Sequence, residues 1–259
     1  MLRFNKEDGK ISIQNWEGKF GTLVLVKKPI KVLDKTIYLQ VGKIYIKACL
    51  TNKEAAKFYK NEEVKRVVLA RECNKETIKD IIDNVKIDTE VFIHGAMCTC
   101  YSGRCYLSNY MTNRDSNRGG CAQVCRWTFD LYDEDKNKIS NDTEFAISPK
   151  DLSLLKYIPN LIEMGVTSLK IEGRMRSIYY IATVINTYKK IIEKIRTNNL
   201  TEAYSKYYLD ILNRCANRDT TPQFFDKFPT KDEQYFLGRE EVSNQDFLGL
   251  VLDYDEETK

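Results

Sequence analysis

Residues 90–127 read EVFIHGAMCTCYSGRCYLSNYMTNRDSNRGGCAQVCRW, and the rest of the chain is best interpreted outward from this stretch. Its apolar start predicts a buried strand that carries His94, the only histidine in the chain, and ends at Gly95. The loop after this strand holds five of the eight cysteines: Cys98, Cys100, Cys105, Cys121 and Cys125. We therefore expect a rigid strand to present a set of soft metal ligands at its end.

The composition is that of a soluble globular protein. The 259 residues are 42% hydrophobic and 30% charged, enough for one large domain or one domain with an appendage. No apolar run approaches the roughly 20 residues of a membrane span, and the first residues lack the apolar segment of a signal peptide. We therefore expect a cytoplasmic protein without a membrane partner. The net charge of +4 permits a nucleic-acid partner without indicating one.

Thiols stay reduced in the cytoplasm, so clustered cysteines there indicate metal binding rather than disulfides. Six residues separate Cys98 from Cys105, fifteen separate Cys105 from Cys121, and three separate Cys121 from Cys125. Zinc sites usually use closely spaced pairs on both sides, and only the last pair fits that pattern. The uneven spacing favours a 4Fe–4S cluster, with zinc or free buried thiols as alternatives. We leave Cys100 out of the ligand set because we expect its side chain to face away from that of Cys98.

Hydrophobic periodicity and capping residues predict alternating strands and helices around this loop. Strands at 46–50, 66–70 and 90–94 alternate with two helices, one opened by the capping box Thr51-Asn52-Lys53-Glu54 and one capped by Asn74, which indicates a parallel sheet with helices outside. The segment Ser148-Pro149-Lys150-Asp151 predicts a helix start, with Pro159 restarting the helix and Gly165 ending it. Further predicted strands lie at residues 11–13, 22–26, 37–41, 128–132, 145–147, 168–171 and 247–252, and further helices at 177–196 and 201–214.

The segment Glu90-x-Phe92-x-x-Gly95-Ala96-Met97-Cys98-x4-Gly103-x-Cys105-x-Leu107-Ser108 resembles the signature of peptidase family U32, the collagenase-like proteases. Similar blocks occur at residues 67–72, 114–127, 148–152 and 168–175, so the resemblance runs from about residue 46 to 196. It implies an α/β fold, a partial TIM-type (β/α) barrel with a cysteine-rich loop. The predicted domains are a divergent β-rich segment (1–45), the barrel-like core (46–200) and a shortened C-terminal segment (201–259) that starts a further β structure.

The resemblance also implies a function. The better-understood members of the family are similar to oxygen-independent, iron–sulfur-dependent hydroxylases of tRNA wobble uridine, ribosomal RNA cytidine or ubiquinone precursors. The motif wording is most similar to the tRNA branch, which makes 5-hydroxyuridine and is linked to prephenate. We therefore expect hydroxylation at C5 of a tRNA uridine, with a 4Fe–4S cluster on Cys98, Cys105, Cys121 and Cys125. The alternatives are a ribosomal RNA hydroxylase, a peptidase, and a non-catalytic partner of a full-length homologous subunit.

Functional side chains of a TIM-type barrel sit at the carboxyl ends of its strands. This rule selects His94, Glu172 and Arg174 as catalytic candidates. It also selects Arg71, Glu72 and Lys170 as substrate-binding candidates. To these we add Arg118 and Arg126, two loop arginines that could approach RNA phosphates. The alternatives are a core histidine at position 94 and an internal ion pair within Lys170-x-Glu172-x-Arg174. Cys49, Cys73 and Cys215 are isolated, and we expect them to pack as small apolar residues.

Overall fold

The computed structural model describes residues 50–139, 145–173, 176–215 and 218–235, with the backbone alone at 236–237 and in short strands between residues 2 and 49. The predicted strands at 22–26 and 247–252 lie outside the described residues, as does Arg174. The boundaries predicted at residues 45 and 200 therefore stay predictions.

The described strands and helices follow the alternating order that the sequence predicts for the middle of the chain. The strands are β1 (Leu2–Phe4), β2 (Ile11–Ile13), β3 (Ile30–Val32), β4 (Lys35–Ile37), β5 (Tyr45–Leu50), β6 (Arg66–Leu69), β7 (Asp88–Gly95), β8 (Thr128–Phe129), β9 (Phe145–Pro149), β10 (Asp151–Ser153), β11 (Ser168–Glu172), β12 (Thr220–Thr221) and β13 (Gln234–Leu237). The helices are α1 (Lys53–Asn61), α2 (Lys75–Val85), α3 (Leu107–Thr112), α4 (Ile158–Glu163), α5 (Ile178–Arg196) and α6 (Glu202–Cys215).

The largest sheet is built around β7. Strands β5, β6 and β7 pair in parallel, and β11 pairs with β7, also in parallel. Strand β10 joins β7 in the antiparallel sense, and β12 pairs with β10. Among the described strands β5 and β12 end this path without pairing with each other, so the fold is mixed α/β with an open sheet. Closure into the predicted TIM-type barrel is not seen in this part of the chain.

Helix α2 begins at the predicted cap, Asn74, whose side chain accepts a hydrogen bond from the backbone of Thr77. Helix α1 begins one residue later than the predicted capping box implies: Asn52, and not Thr51, is the cap and accepts a hydrogen bond from the backbone of Ala55 at 2.9 Å. The periodicity of α2 predicts a buried stripe of Ile78, Ile81, Ile82 and Val85; Ile82 is partly buried against the core, and the other three are buried. The described core is continuous from these helices through β6 and β7 to α5. Among the described residues, no helix is long and apolar enough to cross a membrane.

The predicted helix start at Ser148-Pro149-Lys150-Asp151 is wrong, because these residues form the end of β9 and the start of β10. Lys150 donates its backbone N–H to the carbonyl of Glu233, and Asp151 donates to that of Asp219, both at 2.9 Å. The Ser148 and Asp151 side chains accept hydrogen bonds from distant arginines rather than capping a helix. Tertiary partners therefore override the local signal. The helix itself starts at Ile158, and Gly165, at φ +86°, follows its end as predicted.

Candidate functional site

Gly95 is where the chain leaves β7 for the cysteine-rich loop. It has φ +114°, and it lies opposite Glu172 in the pairing of β7 with β11. A Cβ at this position would stand 2.3 Å from the Glu172 carbonyl oxygen. Only glycine satisfies both the backbone conformation and this close approach, so the residue fixes where the loop begins relative to the sheet.

The loop covers a cavity of about 250 Å³ at the carboxyl ends of β6, β7 and β11. Arg71 and Phe92 line its sheet side, and Glu172 enters from the end of β11. All five loop cysteines line it from the other side: Cys98, Cys100, Cys105, Cys121 and Cys125. The side chains most suited to soft-metal chemistry therefore face one space at the edge of the sheet where functional groups are expected.

The prediction that Cys100 faces away from the other cysteines is wrong. Cys100 lines the same cavity as Cys98, and its thiol hydrogen-bonds with that of Cys105. The spacing itself carried the signal, since side chains two residues apart in an extended segment point the same way. Cys73 and Cys215 are buried elsewhere in the core, as predicted. Cys49 has no described side chain.

The protein environment shifts the pKa values of the cavity thiols in different directions. Burial raises the pKa of Cys98, although solvent reaches this side chain through the cavity, and burial likewise raises that of Cys125. The pKa of Cys100 is raised to about 11, by burial first and then by its hydrogen bond with Cys105. Burial opposes ionisation of Cys105 too, yet hydrogen bonds from Ser116 and nearby backbone N–H groups lower its pKa. Without a bound cation, most of these thiols are thus held in the protonated form.

No three His, Cys, Asp or Glu side chains within the described ranges are arranged to hold a single metal ion. The cysteines instead surround the cavity, whose volume far exceeds the ~30 Å³ that one water molecule occupies in the liquid. The donor set therefore fits a multi-atom centre with soft metals.

Arg71 and Glu172 form the polar sheet side of the cavity. The Arg71 Nη2 atom lies 3.2 Å from Glu172 Oε2, and the guanidinium stacks 3.8 Å from the centre of the Phe92 ring. The Arg71 side chain is only 10% exposed, whereas the Glu172 side chain is 29% exposed. The arginine therefore orients the carboxylate at the cavity wall.

Arg126 belongs to a buried network that supports the loop. It donates to the carbonyl of Met97 at 2.8 Å, beside Cys98, and to the Asp151 carboxylate at 3.2 Å. The Asp151 carboxylate, 4% exposed, also pairs with Arg176 at 2.5 Å and with Arg218 at 3.4 Å. Because Arg126 directly follows Cys125, the network ties both ends of the cysteine loop to β10. The sequence pattern predicted that Asp151 belongs to a helix start, and so it did not indicate that Asp151 is the shared partner of these arginines.

His94 is not brought into the cavity. Its side chain is 1% exposed, and its Nδ1 atom lies 3.3 Å from the Tyr188 hydroxyl. Its Nε2 atom is buried without a hydrogen-bond partner. Burial, followed by the nearby Arg176, lowers the pKa of His94 to about 4. This is the environment of a core histidine, the alternative that the sequence left open.

The remaining predicted residues have different surroundings. Lys170 forms an ion pair with Glu90 at 2.6 Å, and neither residue lines the cavity. Glu72 accepts a hydrogen bond from the backbone of Ser102 at 2.6 Å and so fastens the cysteine loop. The Arg118 side chain is 88% exposed, with its Nε atom 3.3 Å from Asp115. Of the substrate-binding candidates, Arg71 and Arg126 line the cavity.

Comparison with known proteins shows that the chain is similar in sequence to proteins that include the following three. The chain is 50% identical over 215 residues to "tRNA hydroxylation protein P1" of Bacillus subtilis, a match that covers 81% of this chain and 51% of that protein. It is 37% identical over 156 residues to a "Collagenase" of Porphyromonas gingivalis, covering 56% of this chain and 37% of that protein. It is 37% identical over 142 residues to "23S rRNA 5-hydroxycytidine C2501 synthase" of Escherichia coli, covering 55% of this chain and 22% of that protein.

The chain spans about half the length of curated relatives that it matches. No solved structure matches it. The family model described as Peptidase family U32 matches residues 43–235, which include the sheet, the cavity and all five loop cysteines. Since this match covers most of the chain, the protein belongs to peptidase family U32.

Proposed function

We propose that this chain is an iron–sulfur-dependent RNA hydroxylase, and that its reaction is hydroxylation at C5 of a tRNA uridine. The observation that carries the proposal is the convergence of five cysteines, Arg71 and Glu172 on one cavity at the carboxyl edge of the sheet. The names of the relatives support RNA hydroxylation as the reaction class. We also propose that the open sheet forms part of a TIM-type barrel.

We assign Cys98, Cys105, Cys121 and Cys125 as ligands of a 4Fe–4S cluster. Thiolates are the ligands that such clusters use, and the cavity has room for a multi-atom group. When bound, the cluster would supply one-electron redox chemistry. Zinc is the alternative by ligand type, since it also accepts thiolates, but no three of the described side chains are arranged for a single ion.

The chain's own residues would orient the substrate and handle protons. The Glu172 carboxylate faces the cavity, where it is placed to accept a proton from a bound nucleobase. Arg71 holds this carboxylate in position through the 3.2 Å contact. Arg126 and Arg176 line the same cavity while anchored on Asp151, and they give the site a positive wall for an anionic substrate. We keep Arg174 as a catalytic candidate on the strength of its motif.

The partner we propose is tRNA, with ribosomal RNA as the alternative. A prephenate-linked small molecule remains a prediction, for which the cavity arginines offer carboxylate-binding groups. A cytoplasmic location and a full-length homologous subunit also remain predictions.

A peptidase of the cysteine–histidine type is the competing function, favoured by the name of the Porphyromonas gingivalis relative. Such a peptidase needs a thiol within hydrogen-bond reach of a histidine. His94 is the only histidine in the chain, and its described contacts are with tyrosines and backbone rather than with a thiol. The geometry therefore favours the hydroxylase.

The metal centre is tested by anaerobic purification of the chain. We expect a brown protein that contains iron and acid-labile sulfide in equal amounts. Cys98→Ser should lose both, because it removes a ligand. Cys215→Ser, at a buried thiol of α6 outside the cavity, should keep both. A colourless wild-type protein with stoichiometric zinc would refute the cluster.

The reaction is tested by nucleoside mass spectrometry of RNA from a strain that lacks the gene. We expect 5-hydroxyuridine-type modification of tRNA to disappear and to return when the wild-type gene is restored. Unchanged tRNA with an altered ribosomal cytidine would move the assignment to ribosomal RNA.

A further inference from the structure

The loop that forms the cavity also exposes an unusual set of aromatic side chains. Tyr101 is 69% exposed, Tyr106 75% and Tyr110 89%, and Met111 beside them is 44% exposed. These four exposed side chains lie within eleven consecutive residues of one loop segment, and exposed apolar surface concentrated in this way is a candidate binding site. We call Tyr101, Tyr106 and Tyr110 the tyrosine face.

The tyrosine face borders the cavity. Tyr101 lines the cavity, and Cys105, which also lines it, immediately precedes Tyr106. Tyr110 donates its backbone N–H to the carbonyl of Tyr106 at 2.8 Å, one helical turn away. Tyr106 is the residue directly before α3, so this bond places Tyr110 one turn further along the same helix. A molecule that enters the cavity therefore passes beside exposed aromatic rings.

The charge around the tyrosine face is positive. Residues 96–127 contain four arginines and one acid, a net charge of +3 in a chain whose total is +4. Arg104, Arg114 and Arg118 are exposed within this segment, and the Arg118 side chain is 88% exposed even beside Asp115. Exposed arginines and tyrosines on one loop segment that contains a single acid complement a polyanion whose bases can stack.

We propose that the tyrosine face binds an unpaired loop of the substrate RNA, with bases stacked on the tyrosine rings and phosphates beside the arginines. Recognition of RNA by proteins mainly targets single-stranded loops, because a paired and stacked base cannot lie on an aromatic side chain. Such binding places the neighbouring base at the mouth of the cavity. The inference rests on the proposed function, since it takes RNA as the substrate.

The test is the affinity of the full 259-residue chain for a fluorescent tRNA anticodon stem–loop, measured by anisotropy. Stacking on an aromatic side chain is worth roughly 1–3 kcal/mol per base, so the double variant Tyr106→Ala/Tyr110→Ala should bind at least about tenfold more weakly. The matched control is Tyr204→Ala/Tyr207→Ala, two exposed tyrosines on α6 that do not line the cavity. The control should bind like the wild type, and a fully paired RNA should bind more weakly than the loop.

Two further variants separate stacking from charge. Tyr106→Phe/Tyr110→Phe should retain the affinity, because the ring is kept. Arg104→Gln should reduce the slope of log affinity against log salt by about one, as expected for one lost phosphate contact.

The inference is overturned if the alanine pair binds RNA like the wild type, or if the control pair is equally weakened. A change in oligomeric state at unchanged RNA affinity would also overturn it, by identifying a protein contact. The proposed function fails separately, when the deletion strain retains its modified nucleosides although the RNA still binds through the tyrosines.

Discussion

Replacing Gly95 by alanine tests the geometry that positions the cysteine loop. The added Cβ would stand 2.3 Å from the carbonyl oxygen of Glu172 and 2.9 Å from its Cβ. Neither atom is at the end of a flexible side chain, and the pairing of β7 with β11 prevents the two strands from separating freely. The φ of +114° adds backbone strain of about 1–3 kcal/mol, and overpacking adds about 1–3 kcal/mol. We therefore expect Gly95→Ala to destabilise the chain by about 4 kcal/mol.

Gly165→Ala is the matched control for this experiment. Gly165 also has positive φ, +86°, but its added Cβ would meet nothing closer than an Ile82 methyl at 3.8 Å. The expected loss is the strain alone, about 1–2 kcal/mol. The entropic effect of alanine on the unfolded chain is common to both variants and cancels in the comparison.

The measurement is the urea-induced unfolding of wild type and both variants, followed by circular dichroism. Gly95→Ala should also reduce the iron bound after anaerobic purification, because Gly95 leads directly into the loop that carries Cys98. Equal losses for the two variants, within about 1 kcal/mol, would refute the close approach of β7 and β11 at this point.

Three further predictions concern the buried network, the histidine and the thiols. Asp151→Asn should destabilise the chain by about 3–5 kcal/mol, because it leaves buried arginines without their shared carboxylate, whereas Asp226→Asn, at an exposed pair, should leave the urea midpoint nearly unchanged. The pKa of His94 is lowered from 6.5 to about 4, so the unfolded chain binds a proton in this interval that the folded chain does not. The contribution of His94 to the free energy of unfolding is complete above about pH 6.5, and it falls by about 3 kcal/mol as the pH decreases to 4. Urea unfolding from pH 7 to 4 should show this slope in the wild type and a shallower one in His94→Gln; parallel slopes would contradict it. Cys100→Ser should retain iron while Cys121→Ser loses it, and equal loss in both, measured by iron content, would place Cys100 among the ligands.

The alternating strands and helices were predictable because their signals are local. Asn74 caps α2 through a hydrogen bond three residues away, and the buried stripe of that helix repeats every three to four residues. The motif around Cys98 and Cys105 likewise predicted the family, since it depends on the order of residues along the chain. Both kinds of information lie within short stretches of sequence.

The Cys100 error was one of local geometry, but two other errors arose where residues distant in the sequence determine the structure. Ser148 and Asp151 look like the start of a helix, but Arg126 and Arg218 reach them from outside the segment and hold it as strands. His94 follows an apolar strand beside the cysteine loop, and only the packing of Tyr180 and Tyr188 from α5 shows that it belongs to the core.

By itself, the sequence determined the family, the βα order and the cysteine-rich loop, because these depend on residue identity and short spacing. Only the tertiary structure decided which side chains share the cavity, that Asp151 pairs with three arginines, and that Tyr101 lines the cavity beside the cysteines. Such groupings arise when segments far apart in the chain compete for the same partners, and no local pattern records the outcome of that competition.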